Sequence, residues 1–345
     1  MSKLRFLLLA LVVTMLGFNS CKTDPNPTTA IQASDIDGQV VRDWNKLFLE
    51  IDRYAPGFRP PAASRLLAYV GLASYESAVP GMPEYRSLKT NYSGLVIPTA
   101  PTSEIHWGLA VNASYAFMFR QFYSQVNQTY LDKITALENR YIDEYSSGLS
   151  SDIVTNSQNW GKSVATAVYN WSETDVAGDK ANLNPRPSTY VPPTTGPNGE
   201  KLWQPTPPDY TRALFPYWGD VRPFAMTQSD LIAKPPLTWS ENPESKFYNQ
   251  AKETKVWVDN ASYEDVWIAE FWSDDIFELT FEPAARLISI ANQLSTEDQF
   301  TLDKNVHLYA SLGMSLCDAG IAIWKSLKEQ FLKPLMMLTE HDQQV

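Results

Sequence analysis
Cysteine and histidine are scarce in this chain: two and three, respectively, in 345 residues. The histidines are His106, His307 and His341, and none lies in HExxH or in a close pair. No CxxC, Gly-rich phosphate loop or G-x-S-x-G occurs. The sequence therefore lacks the signatures of zinc-site, nucleotide-phosphate and serine-hydrolase chemistry, and each histidine by itself reads as structural. Basic residues are also few, 28 against 39 acidic, for a net charge of −11. An acidic chain has no electrostatic case for a nucleic-acid partner.

Long apolar runs are few, and one stands at the start. "MSKLRFLLLALVVTMLGFNSC" places Lys3 and Arg5 before an apolar run from Phe6 to Phe18. The run is short for a membrane span, which needs about 20 apolar residues. A positive head, an apolar stretch and the small Ser20 describe an export signal over residues 1–20. Cys21 stands where a bacterial lipoprotein is acylated, although Asn19 replaces the small residue usual in that box. The expectation is an exported lipoprotein anchored to the membrane through Cys21, periplasmic or at the cell surface; simple cleavage near Ser20 is the alternative. Residues 21–36 then form a polar tether. Without Lys3 and Arg5, 26 basic residues face 39 acidic ones, a net charge of −13. With Cys21 acylated, Cys317 has no disulfide partner. Its setting, "LYASLGMSLCDAGIAIW", makes it a small buried residue.

What is present is mostly helical period. "GQVVRDWNKLFLEIDRYA" puts Val40, Val41, Trp44, Leu47, Phe48 and Ile51 at three- and four-residue steps. "PPAASRLLAYVGLASYESAVPG" opens on prolines and stops at Pro80-Gly81. Helical segments continue to Trp171, the last opening on an N-cap signal. Residues 174–244 are different, rich in Pro, Thr, Asn and Gly. Trp203, Tyr210, Phe215, Tyr217, Trp218 and Phe224 supply buriable area there, so an ordered excursion lying against the helices is expected. Helical period returns after it, ending in a long helix expected from Thr296 to about Phe331. The fold class is all-α, a multi-helix bundle over residues 37–345.

Candidate chemistry is sparse. "EFWSDD" at Glu270–Asp275 concentrates acids that could serve acid–base chemistry or a hard cation. The plainer reading is a helix end with solvated acids and a buried Trp272. Lys325, Lys328 and Lys333 lie where cations suit a helix C-terminus. Sequons at Asn91, Asn112, Asn127, Asn170 and Asn260 carry no weight in a bacterial lipoprotein.

Five segments in order resemble the exported vanadium-dependent haloperoxidase-like proteins, of the superfamily that also holds the phosphatidic-acid-type and bacterial acid phosphatases. They are "YAPGFRPPAASRLLAYVGLASYESAVPGMPEYRSL", "EIHWGLAVNASYAFMFRQFY", "WQPTPPDYTRALFPYWGDVRPFAM", "IAEFWSDD" and "DAGIAIWKS". The resemblance runs from about Asp35 to Trp324. It implies a helical fold around an oxyanion, with vanadate as cofactor held by positive side chains and a serine and bonded to a histidine; in the phosphatases the same cradle holds phosphate. Such a site needs several fixed positive donors for a multiply charged anion.

The family motif after "DAGIA-x-W" has a lysine and, seven residues on, Arg-Pro. Here Lys333 precedes Pro334, and Ser326 stands seven residues before it. Lys325 and Lys328 lie eight and five residues before Lys333, about 80° and 140° off the helix face that a seven-residue step nearly repeats. No Ser-Gly-His occurs, and no residue follows Val345 to supply the later arginine and histidine. Lys328 and Lys333 are thus a weak remnant of a vanadate- or phosphate-binding site. The chain is expected to span only the N-terminal helical half of such an enzyme, inactive by itself. Two alternatives stay open: a non-catalytic helical lipoprotein that binds through its aromatic excursion, and an acid-phosphatase-like enzyme. Exposure of apolar positions from Leu308 to Leu338 would favour a homodimer.

Overall fold
The computed structural model describes residues 31–195, 202–227, 229–234, 237–238, 240–273 and 282–327. The chain divides into a leading unit, Met1–Ile31, and a second unit, Gln32–Val345. The helices described below belong to the second. The export signal, Cys21, Lys328, Lys333 and His341 lie outside the described residues.

Nine α-helices occur among the described residues: α1 (Gln39–Asp52), α2 (Pro60–Ala78), α3 (Trp107–Phe122), α4 (Gln128–Ser146), α5 (Ser151–Glu173), α6 (Lys246–Asp259), α7 (Tyr263–Phe271), α8 (Pro283–Glu297) and α9 (Leu302–Ser326). They contain no strand, only an isolated bridge between Asp37 and Thr301. The all-α expectation holds.

Helix α2 is the axis of the core. Pro60 and Pro61 occupy its first turn, where a missing N–H costs nothing. Every residue from Pro61 to Ala78 is buried. Small residues let neighbours come close, and α9 comes closest. A Cβ on Gly71 would sit 2.7 Å from Ala310 Cα, and one on Gly313 would sit 2.5 Å from the Leu67 oxygen. The two backbones therefore touch at a crossing that only glycine permits. On α1, all six residues of the expected stripe are buried, and Trp44 Nε1 donates to Asn112 Oδ1 at 2.9 Å. Asn112 is itself buried, which removes its sequon from the surface. Helix α4 buries only Ile134 and Tyr141, as its charged sequence suggests.

Three expectations need correction. Thr296 does not open the last helix: it lies in the last turn of α8, and α9 starts at Leu302. The break comes at Gln299, whose φ of 49° is left-handed, after which Leu302 N donates to the Ile36 oxygen. Second, Trp272 is exposed. It caps α7 with its ring edge-on to Phe271 and beneath the Arg286 guanidinium, while α6 and α7 bury no residue at all. Third, the face from Leu308 is largely covered, since Tyr309, Ala310, Met314, Cys317 and Ile321 are buried. Ile323 and Leu327 are exposed, and residues 328–338 lie outside the described residues. Helix α9 is long and apolar enough to cross a membrane by composition, yet its apolar face is taken up by α2.

Candidate functional site
The excursion reaches the core through α9. Asp318, the first residue of "DAGIA", is buried and accepts from three successive backbone N–H groups: Phe224 at 2.7 Å, Ala225 at 2.7 Å and Met226 at 2.8 Å. A carboxylate that receives three donors holds the "PFAM" turn in place. Two turns on, Trp324 Nε1 donates to the Leu214 oxygen at 3.1 Å. Ser326 is buried and accepts from Ala233 N at 2.9 Å. Between these anchors a Cβ on Gly219 would lie 2.9 Å from Lys325 Cα, so the excursion passes directly over the α9 backbone. Phe215, Trp218 and Phe224 are buried as expected, whereas Tyr210 and Tyr217 are exposed.

A second set of polar groups ties the excursion to α2 and α5. Arg65 and Asp175 form a buried pair, Nε to Oδ2 at 3.2 Å, and Arg65 Nη2 donates to the Ser172 oxygen at 2.8 Å. The other Asp175 oxygen accepts from Arg222 N at 3.2 Å. The Arg222 guanidinium lies over the Trp171 ring, 3.9 Å from its centre. Its Nη1 donates to Thr174 Oγ1 at 2.9 Å, and its Nη2 to the Trp171 oxygen at 2.7 Å and Tyr69 OH at 3.2 Å. Burial, above all, pushes the Tyr69 hydroxyl up, so it stays protonated. Beside this network opens a cleft of about 560 Å³ lined by Thr174, Asp175, Val176, Ala177, Tyr217, Asp220 and Arg222. Lys325 Nζ stands 3.8 Å from Asp220 Oδ1 at its edge.

This is where an oxyanion site near the end of α9 would draw its charges. A cradle needs several donors converging on one accessible point. Arg65 instead points into Asp175 and Ser172; the terminal nitrogens of Arg222 point into Thr174, Tyr69 and Trp171; Lys325 points towards Asp220. The histidines do not converge there either. His106 caps α3, its Nδ1 accepting from Leu109 N, and burial lowers its pKa. His307 packs against Tyr75 and Tyr85. The described residues therefore do not fit vanadate. Among them there is also no cluster of three or more metal-ligating side chains. Of "EFWSDD", Asp274 and Asp275 lie outside the described residues. Cys317 is fully buried, and burial raises its thiol pKa far above the ordinary range, as befits an inert residue.

Sequence reasoning missed Arg65, Asp175, Arg222 and Asp318 as a connected system. It also missed a buried acid pair. Asp52, at the end of α1, finds no hydrogen bond for either carboxylate oxygen; Glu282, the α8 N-cap residue, finds none for Oε2. Burial raises both pKa values, the Asp52 charge adds to the effect on Glu282, and Arg59 opposes it on both.

The arrangement defines a helical bundle in which α9 anchors the described parts of an aromatic-rich excursion. No family profile matches the chain, and no curated protein matches it. Among solved structures, it is similar to a bacterial vanadium-dependent iodoperoxidase. The TM-score is 0.74 at 24% identity, over 90% of this chain and 73% of that one. The chain has a vanadium-haloperoxidase-like fold.

Proposed function
We propose that this chain is an exported lipoprotein, acylated at Cys21, that keeps the haloperoxidase scaffold without carrying its oxyanion chemistry. The observation that supports the second part of this reading is the commitment of Arg65 and Arg222 to internal acceptors, with Lys325 beside the exposed Asp220, around the end of α9. Each cation there compensates an internal acid or carbonyl, so a multiply charged anion would have to displace those partners. Lys328 and Lys333, the remaining cations of that stretch, lie outside the described residues, and their five-residue spacing does not match the seven-residue step of the family motif.

The test is to incubate the purified chain with vanadate, peroxide and iodide or bromide, and to follow halogenation of a phenol dye. No vanadate-dependent rate is expected, and none from aryl phosphate hydrolysis in a parallel well. A vanadate-dependent rate that Lys328→Ala/Lys333→Ala abolishes would overturn the proposal and make those lysines part of a working site. Lipidation is read separately: fatty-acid label should enter the chain in cells and be lost in Cys21→Ser.

A further inference from the structure
Helices α1 and α8 pack with opposite direction. Arg42 Nη1, in the first turn of α1, donates to Ser295 Oγ, in the last turn of α8, at 3.4 Å. At the other end of the pair stand Asp52, the last residue of α1, and Glu282, the residue before α8. Tyr123, directly after α3, completes the group; its ring packs on Phe58 and Phe119, with centres 4.9 and 5.6 Å away. Asp52 is 3% exposed, Tyr123 0% and Glu282 9%. Both Asp52 carboxylate oxygens, Glu282 Oε2 and the Tyr123 hydroxyl find no hydrogen-bond partner among the described residues. The three groups feel one another. Burial raises all three pKa values; the Asp52 charge adds to the effect on Glu282, and the Asp52 and Glu282 charges add to it on Tyr123.

Buried polar groups in folded proteins are nearly always bonded, so orphan oxygens from three segments in one place point to something held between them. Water would meet the oxygens but not the charge, and two buried carboxylates near each other need positive charge. Arg59 opposes the shift on both acids, yet it bonds neither oxygen of Asp52. The orphan atoms are all hard oxygen donors, which suit calcium or magnesium and not the softer zinc or copper. They come from a helix end, a residue past a helix and a helix N-cap, with no regular geometry imposed on them. Calcium accepts about six to eight oxygens in flexible arrangements, whereas magnesium demands a near-ideal octahedron.

We propose that Asp52, Glu282 and Tyr123 form a structural calcium site that ties the end of α1 to the end of α3 and the start of α8. The two acids supply the anionic ligands, and the Tyr123 hydroxyl is the third oxygen, with water completing the shell. Only two of the three are acids, so the site differs from a centre built on three or more His, Cys, Asp or Glu side chains. Without the cation, burial keeps protons on the two acids, and calcium takes the place of those protons. The site lies apart from α9 and its cations, so it neither needs nor supplies an oxyanion cradle.

The experiment strips the purified full chain with chelator and titrates it with terbium(III), a luminescent cation of calcium's size and oxygen preference. Terbium emission excited through the aromatic side chains should saturate at a single equivalent. Calcium should displace it, and magnesium in about tenfold excess over that calcium should not. Calcium should also raise the thermal unfolding midpoint above its value in chelator. Asp52→Asn and Glu282→Gln should each weaken terbium binding about tenfold or more and abolish the calcium-dependent rise, because each removes one of two charged ligands. Both substitutions keep side-chain shape, and Glu282 has no side-chain cap bond to lose. Circular dichroism checks folding; if Asp52→Asn does not fold, Glu282→Gln decides. A wild type with neither saturable terbium binding nor a calcium-dependent midpoint overturns the proposal, and the pair then holds protons alone. Terbium binding and a calcium shift that the folded variants retain belong to surface acids and overturn it as well.

Discussion

Removing the Asp318 carboxylate tests the central anchor of the fold. In Asp318→Ala, three backbone N–H groups lose their acceptor at once. Phe224 N is buried, and an orphaned buried donor costs about 1–3 kcal/mol. Ala225 N and Met226 N are only part-buried, so water recovers some of their loss. The sum is about 3–5 kcal/mol, a large fraction of the 5–15 kcal/mol that holds a typical domain together. Because the loss falls on one strap, the excursion should release before the bundle melts. Trypsin should then cut faster after Arg212, on the same excursion; the bond after Arg222 precedes Pro223 and is not a tryptic site. Urea unfolding followed by tryptophan fluorescence reads the global part, since Trp218 leaves a fully buried site. Asp318→Asn should lose less, because it keeps a carbonyl oxygen but turns an amide N–H towards at least one donor. An Asp318→Ala protein with an unchanged urea midpoint and unchanged tryptic pattern would refute the anchoring role.

Two further predictions concern buried charge. Asp175→Asn leaves the buried Arg65 without its counter-ion and should cost about 3–5 kcal/mol in chemical unfolding, whereas a paired Arg65→Met/Asp175→Leu replacement should cost clearly less. The Asp52–Glu282 pair sets a pH dependence. Both native pKa values are raised, so the folded chain holds protons that the unfolded chain releases from about pH 4 upward. Stability should therefore be greatest in acid, with respect to this pair, and fall as pH rises through neutrality towards the raised values. Asp52→Asn should flatten that decline in a series of unfolding midpoints; an unchanged slope would refute the assignment.

The sequence by itself determined the elements that depend on neighbours a few residues apart. The apolar steps of α1, the prolines opening α2 and the burial of Cys317 all follow from local spacing, because a helix repeats every 3.6 residues wherever it lies; the cap of α5 falls at Ser150, one residue before the segment read from the sequence. The ends of α8 and α9 did not follow, since the break rests on Gln299 entering a left-handed conformation and on Leu302 finding the Ile36 oxygen. Nor did the exposure of Trp272, over which, among the described residues, α8 sets only the Arg286 guanidinium. The lysines after Trp324 drew attention as charges on a helix, yet the tertiary structure decides the fate of Lys325 by setting Asp220 beside it, 105 positions earlier in the chain. The same holds for Asp318, whose partners lie 92 to 94 residues away, and for Arg65, 110 residues from Asp175. Periodicity records which face of a helix is apolar; only the folded chain decides which buried charge meets which donor, because those encounters are between segments with no sequence relation to each other.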